Sequence, residues 1–274
     1  LNKISNQLIL KNMILTIDVG NTDTVLAIYQ NDKILKNYRV PTKPYKTEKE
    51  YIYLLTDIHS EMSRQDIEGI MVALVVPDLK NAIAAACKEV LGVNPLFIGD
   101  EGVEIDLDIK IDKPKALGAD RIANSIAAIK KYKKNIIIVD FGTATNFEVI
   151  GENNDFIGGV IAPGINTSVR SLTEAAALLP MYEVERPSKV IATSLEDTLH
   201  SGIFYGSLGM INFLIENIKE ELRRESKVVS KVVSTGGLGG LFTKHTESID
   251  VYDEHLTTFG LLEIYKFNKN KNDI

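Results

Sequence analysis

A single cysteine, Cys87, in a chain of 274 residues excludes an internal disulfide and fits a protein of a reducing compartment. It lies in Ala84-Ala85-Ala86-Cys87-Lys88, an amphipathic helical stretch, so its expected role is that of a small core residue. No apolar run is long enough to span a membrane, and Leu8-Ile9-Leu10 before Lys11 is too short for the apolar region of a signal peptide. Basic residues are not in excess. Lys and Arg number 31 against 37 Asp and Glu, and the net charge of −6 argues against a general nucleic-acid binder. The histidines His59, His200, His245 and His255 show no close ligand spacing, which disfavours a zinc site. No Gly-x-x-x-x-Gly-Lys phosphate loop occurs, so a P-loop kinase is disfavoured too. What remains, 45% hydrophobic and 25% charged residues, is ordinary globular composition.

The most informative stretch is Asn135 to Phe147, where Ile136-Ile137-Ile138-Val139 runs into Asp140-Phe141-Gly142-Thr143-Ala144-Thr145. Four consecutive apolar, mostly β-branched residues predict a strand buried on both faces, with the acid where the sheet opens to solvent or ligand. The same design appears earlier as Ile14-Leu15-Thr16-Ile17-Asp18-Val19-Gly20-Asn21-Thr22. At one constant offset Asp18 matches Asp140, Gly20 matches Gly142 and Asn31 matches Asn153. The chain therefore reads as a duplication, with a cleft between similar halves as the natural ligand site.

In chain order, the pattern predicts a three-stranded meander: a strand through Asp18, a second over Thr24 to Tyr29, an Asn31-Asp32 turn, and a third over Ile34 to Val40. Thr47 and Glu50 have capping-box spacing for a helix to about Ser60. A strand at Ile70 to Val76, a Pro77-Asp78 break, a helix with Leu79, Ile83, Cys87, Val90 and Leu91 on one face, and a short strand at 96–98 follow. A long loop over 99–115 opens onto a helix carrying Asp120 in its first turn and Ile122, Ile126 and Ile129 at helical spacing. The second half repeats the meander over 136–162. It continues with a small-residue helix (Leu172, Ala175, Ala176, Leu179) and a long helix over 202–224 striped by Leu208, Ile211, Ile215, Ile218 and Leu222. A buried strand at Val228 to Val233 ends in Ser234-Thr235-Gly236-Gly237, and a last helix runs from Leu256 to Lys266 with a frayed tail after Phe267. Residues 1–12 read as a mis-set start or a loose extension.

An acid at a strand end followed by glycine suits metal-phosphate chemistry. Glycine lets backbone approach phosphates, and the carboxylate can hold a cation directly or through its waters. Thr22, Thr143 and Thr145 add hydroxyls. One Asp-x-Gly is more often a plain turn, but two copies in matching meanders reverse those odds. For Asp120 the plain alternative is a first-turn acid facing the helix dipole, and Arg121 is either a surface ion pair or a binder of carboxylate or phosphate.

These residues resemble the motifs of the type III pantothenate kinases, within the acetate kinase/Hsp70/actin superfamily. The resemblance runs from Met13 to about Phe267. It rests on Asp18-Val19-Gly20-Asn21-Thr22, Gly118-Ala119-Asp120-Arg121 and Asp140-Phe141-Gly142-Thr143-Ala144, with Ile161-Ala162-Pro163-Gly164, Ser201 to Gly206 and Thr235-Gly236-Gly237-Leu238 in register. It implies an α/β fold of two duplicated actin-like (ribonuclease H-like) halves, each a mixed sheet opening with a three-stranded meander flanked by helices. Residues 13–116 would form the N-terminal half and 117–274 the C-terminal half. The implied activity is ATP-dependent phosphorylation of pantothenate, with Asp120 as general base and Gly118, Ala119, Asp120 and Arg121 binding pantothenate. ATP would be contacted by Asp18, Val19, Gly20, Asn21, Thr22, Asp23, Thr24, Val25 and Thr143. Mg²⁺ would accompany ATP, and a monovalent cation, K⁺ or NH₄⁺, would lie at Asp140. A cytoplasmic homodimer is implied, supported by the apolar stripes Ile122 to Ile129 and Leu208 to Leu222. The rivals are a non-catalytic relative resembling transcription accessory factors, a kinase for a related small molecule, and an actin-like filament protein.

The chain departs from the family at two places associated with pantothenate. Ile111 stands where tyrosine is common and Leu195 where threonine is common, with Tyr132 and Thr193 as nearby hydroxyls that could compensate.

Overall fold

The computed structural model describes residues 13–62, 66–133, 135–175 and 182–272. Residues 1–12, together with Ala176 and Leu179 of the expected small-residue helix, lie outside them.

The first sheet is built as the alternation of its strands requires. Strand β1 (Met13–Val19) pairs antiparallel with β2 (Asp23–Gln30), which pairs with β3 (Lys33–Pro41). Asn31 and Asp32 close that hairpin at φ 49° and 64°, the left-handed values a two-residue turn demands. On the other side β1 runs parallel to β4 (Ile67–Leu74), and β4 to β5 (Leu96–Phe97), giving the order β3-β2-β1-β4-β5. Helix α1 (Glu48–Glu61) begins at the expected capping box: Glu50 N donates to Thr47 Oγ1 at 3.4 Å and Thr47 N to Glu50 Oε2 at 2.7 Å. Pro77 opens a 3₁₀ turn that leads into α2 (Lys80–Leu91). Met13, Leu15, Ile17 and Val19 of β1 form one core with Tyr51, Leu55 and Ile58 of α1 and Ile83, Ala86 and Cys87 of α2. Cys87 is the core residue expected, and burial pushes its thiol up to about 12.

A short strand β6 (Asp108–Ile109) precedes α3 (Ala119–Tyr132), and then the meander recurs as β7 (Ile136–Phe141), β8 (Ala144–Ile150) and β9 (Asp155–Pro163). Helices α4 (Ile165–Ala175) and α5 (Leu195–Arg224), strand β10 (Lys231–Gly236), helix α6 (Gly239–Thr243), strand β11 (Val251–Tyr252) and helix α7 (Leu256–Asn272) complete the chain. The second sheet has the order β11-β10-β7-β8-β9-β6, which is the first sheet's topology with β6 added at its far edge. The duplication is thus real at the level of strand order. The register differs at the first turn: Val19 pairs with Thr24, whereas Phe141 pairs with Thr145, so the second turn is one residue shorter.

Whereas the sequence reading divides the chain once, after residue 116, the compact units interleave. One contains the chain to Asp106, Lys115–Ala123 and the chain from Thr257; the other contains Leu107–Pro114 and Asn124–Leu256. In the first unit α7 covers the sheet face opposite α1 and α2, setting Leu262, Phe259 and Tyr265 against Ile14, Ala27 and Tyr29. In the second, Ile137, Val139, Phe141 and Phe147 share a core with Ile165 and Val169 of α4 and Phe204, Ile211 and Ile215 of α5.

Several expectations are corrected. Strand β4 starts three residues before Ile70, and β10 starts at Lys231, with Val228 72% exposed. Helix α4 buries Ile165 and Val169 and leaves Leu172 exposed, because the sheet face it meets selects those positions. Helix α5 begins at Leu195, capped by Ser194, well before Gly202. The tail after Phe267 is helical to Asn272. Asn268 there is buried, donates to the carbonyls of Glu104 and Ile264 at 2.8 Å, and accepts from Glu104 N at 2.8 Å. The α5 stripe is absorbed by the chain's own packing, with Ile211, Ile215 and Leu222 buried and Leu208 and Ile218 packed against the same core, whereas in the α3 stripe Ile122 is buried and Ile126 and Ile129 are partly exposed.

Candidate active site

Each unit carries its own acid-glycine turn. In the first unit Asp18 ends β1 half-buried, flanked in register by Val25 on β2 and Ala73 on β4. Gly20 N donates to Asp23 O at 3.0 Å, which closes the turn and leaves Asn21 and Thr22 exposed at its tip. Asp23 is paired with Arg39 at 3.0 Å. Val19 and Thr24 are fully buried, and Thr24 Oγ1 is bonded to Thr42 Oγ1 at 2.9 Å. Within Asp18 to Val25, therefore, those two can meet a ligand only through backbone.

The same unit holds Gly118, Ala119, Asp120 and Arg121 at the start of α3. A Cβ on Gly118 would lie 2.5 Å from Asp120 Oδ1, so glycine there is what lets the carboxylate fold back over the helix start. Arg121 N donates to the same oxygen at 2.8 Å. Burial raises the Asp120 pKa above the ordinary carboxylate value, against the opposing pull of the Arg121 N–H and charge. The carboxylate is half-buried rather than fully solvated, and its bond to Arg121 N is one that a first-turn acid also makes.

In the second unit Asp140, half-buried, is flanked in register by polar residues, Asn146 on β8 and Thr235 on β10. The two duplicated acids thus sit in unlike surroundings. Asn124 of α3 donates from Nδ2 to Asp140 Oδ2 at 3.0 Å. Gly236, at φ +82°, approaches so closely that a Cβ would lie 2.7 Å from Asp140 Oδ1 and 2.6 Å from the Phe141 carbonyl oxygen. Only glycine fits there on both counts, which gives Gly236 a definite task, whereas a Cβ on Gly237 would meet nothing within 4 Å. Bare backbone against a carboxylate oxygen, with amide and hydroxyl neighbours, is a donor set suited to a hard cation and phosphate oxygens. Thr143 is exposed beside it, its carbonyl accepting from Thr167 Oγ1 at 2.7 Å. Thr145, expected to offer a hydroxyl, is fully buried and spends it on the Pro163 carbonyl at 3.3 Å.

Ile111 is half-buried and Leu195, the first residue of α5, is 56% exposed, both in the second unit. The Tyr132 hydroxyl donates to Asp253 Oδ2 at 3.1 Å, and burial and that carboxylate push its pKa up to about 12. Sequence reasoning missed Asn124. Its place one helical turn after Asp120 was legible, but its partner Asp140 is set only by packing.

Known proteins of similar fold and sequence bear on this arrangement. A solved structure from Campylobacter jejuni, a conserved putative Baf family transcriptional activator, aligns with a TM-score of 0.58 at 20% identity over 93% of this chain and 99% of that one. The ethanolamine utilization protein EutJ from Carboxydothermus hydrogenoformans aligns with a TM-score of 0.53 at 14% identity over 96% of this chain and 92% of that one. At such identities both speak to the fold alone. A curated type III pantothenate kinase from Halalkalibacterium halodurans is 42% identical over 258 residues, 93% of this chain and all of that protein. The family model of the type III pantothenate kinases matches residues 14–217, a span that takes in both acid-glycine turns and the start of α3, and the chain belongs to that family.

Proposed function

We infer that the protein transfers the γ-phosphate of ATP to the primary hydroxyl of pantothenate, the first step of coenzyme A biosynthesis. Family membership supplies the reaction class, and the observation in this chain that best supports it is Asp120, a carboxylate made more basic by burial at a glycine-permitted helix start. Asp120 accepts the hydroxyl proton as the substrate oxygen bonds to the γ-phosphorus, and the bond from that phosphorus to the β,γ-bridging oxygen breaks to release ADP. Gly118, Ala119 and Arg121 bind pantothenate with it, Arg121 through the substrate carboxylate. Asp18 to Val25 and Thr143 receive ATP.

Mg²⁺ travels with ATP and neutralises phosphate charge. Asp140, with Asn146 and Thr235 beside it, holds a monovalent cation, K⁺ or NH₄⁺. The protein acts as a homodimer in the cytoplasm. Among the described residues no helix is long and apolar enough to cross a membrane. The exposed apolar side chains Val190, Ile191, Leu195 and Phe213 are better candidates for the dimer contact than the α5 stripe absorbed by the core.

ADP release by the purified protein with ATP and Mg²⁺ should depend on added pantothenate. Release that ignores pantothenate would favour a different acceptor, and none at all would favour a non-catalytic role. Turnover in potassium buffer should exceed that in sodium at fixed Mg²⁺, and equal rates would remove the cation from Asp140.

A further inference from the structure

Asn124 has no exposure to solvent, and its Nδ2 donates to Asp140 Oδ2 at 3.0 Å. A carboxylate only accepts, so the bond also fixes which way the amide points. Holding Oδ2 sets the rotation of the whole carboxylate and turns Oδ1 toward the glycine turns, where a Cβ on Gly236 would lie 2.7 Å from it and one on Gly142 3.8 Å. That is the side on which backbone is bare. Asp18, by contrast, is flanked in register by the apolar Val25 and Ala73. The amide comes from α3, the helix that immediately precedes the second meander.

We propose that Asn124 is a positioning residue for Asp140, pinning one carboxylate oxygen so that the other faces the turn where nucleotide phosphate and its cations gather. This rests on the role of Asp140 inferred above. A hydrogen bond to a charged group is worth more than a neutral one, and its loss here removes a restraint on the orientation of that carboxylate.

The test is a double-mutant cycle of Asn124→Leu and Asp140→Asn, with kcat and both KM values measured, and ATP·Mg²⁺ affinity measured by calorimetry without pantothenate. Asn124→Leu should lower kcat roughly 10- to 100-fold, weaken ATP·Mg²⁺ binding, leave KM for pantothenate within about twofold, and cost nothing more when Asp140 is already Asn. An equal cost in both backgrounds, or a loss confined to KM for pantothenate, would overturn the proposal. Should Asn124→Leu fail to fold, Asn124→Ser carries the same cycle with a smaller expected loss. Wild-type kinetics in Asp140→Asn would sink the role of Asp140 itself. A silent Asn124 variant beside a crippled Asp140→Asn would sink the positioning role alone.

Discussion

At the scale of single residues, Asp120 places function and stability in opposition. Burial raises its folded-state pKa, so folding favours the protonated form. That contribution is complete below the unfolded-state pKa, about 3.9, and is lost as pH rises through the raised folded value. At neutral pH the ionised base therefore weakens the fold. Asp120→Asn should abolish turnover by roughly 10² to 10⁴, leave ATP binding nearly intact, and raise Tm at pH 7 with the gain vanishing toward pH 3. Near-normal turnover would reduce Asp120 to a helix-start acid. In the native protein kcat/KM should fall as pH drops through the Asp120 pKa, which burial raises above its unfolded-state value. Ile111 and Leu195 belong to this scale as well. Two missing hydroxyls, each worth about 0.5 to 1.5 kcal/mol, predict weak pantothenate binding that Ile111→Tyr/Leu195→Thr tightens by roughly tenfold. A native KM in the low micromolar range, unmoved by the double substitution, would show that neither position matters.

At the scale of elements, the C-terminal helix α7 is the clearest case of packing overriding composition. Its Asn- and Lys-rich end reads as a frayed tail, yet Asn268 is 4% exposed and bonds on both sides to the backbone of Glu104. Asn268→Ala should cost about 1 to 3 kcal/mol in denaturant unfolding, whereas a tail residue would cost nothing measurable. Helix α1 shows the opposite: Thr47 and Glu50 fix its start through bonds made entirely within four residues, which is why spacing alone located it. Short strands β5, β6 and β11 have two residues each, and β6 and β11 could not be read because nothing local distinguishes two paired residues from loop.

At the scale of the molecule, two sheets of matching strand order give the chain its architecture. Association is the property that the internal packing leaves to the surface. Phe213 on α5 is 69% exposed although the stripe beside it is buried. Sedimentation should give twice the 30.3 kDa chain mass, and Phe213→Glu should shift it toward monomer. A monomer at micromolar concentration and above would rule the dimer out.

The sequence by itself determined the two meanders, their acids and glycines, and the helix bearing Asp120, because strand alternation, turn chemistry and capping are contests among neighbours in the chain. Recognition of the family was legible for the same reason, its motifs being short and local. Only tertiary structure decided that α7 covers the first sheet, that the apolar stripe of α5 faces its own core, and that Thr145 is spent internally. It also decided that Asn124 reaches Asp140, sixteen residues away. Helical periodicity says that a face is apolar without saying what covers it. A buried amide likewise declares its need for a partner but not which carboxylate the fold will bring to it.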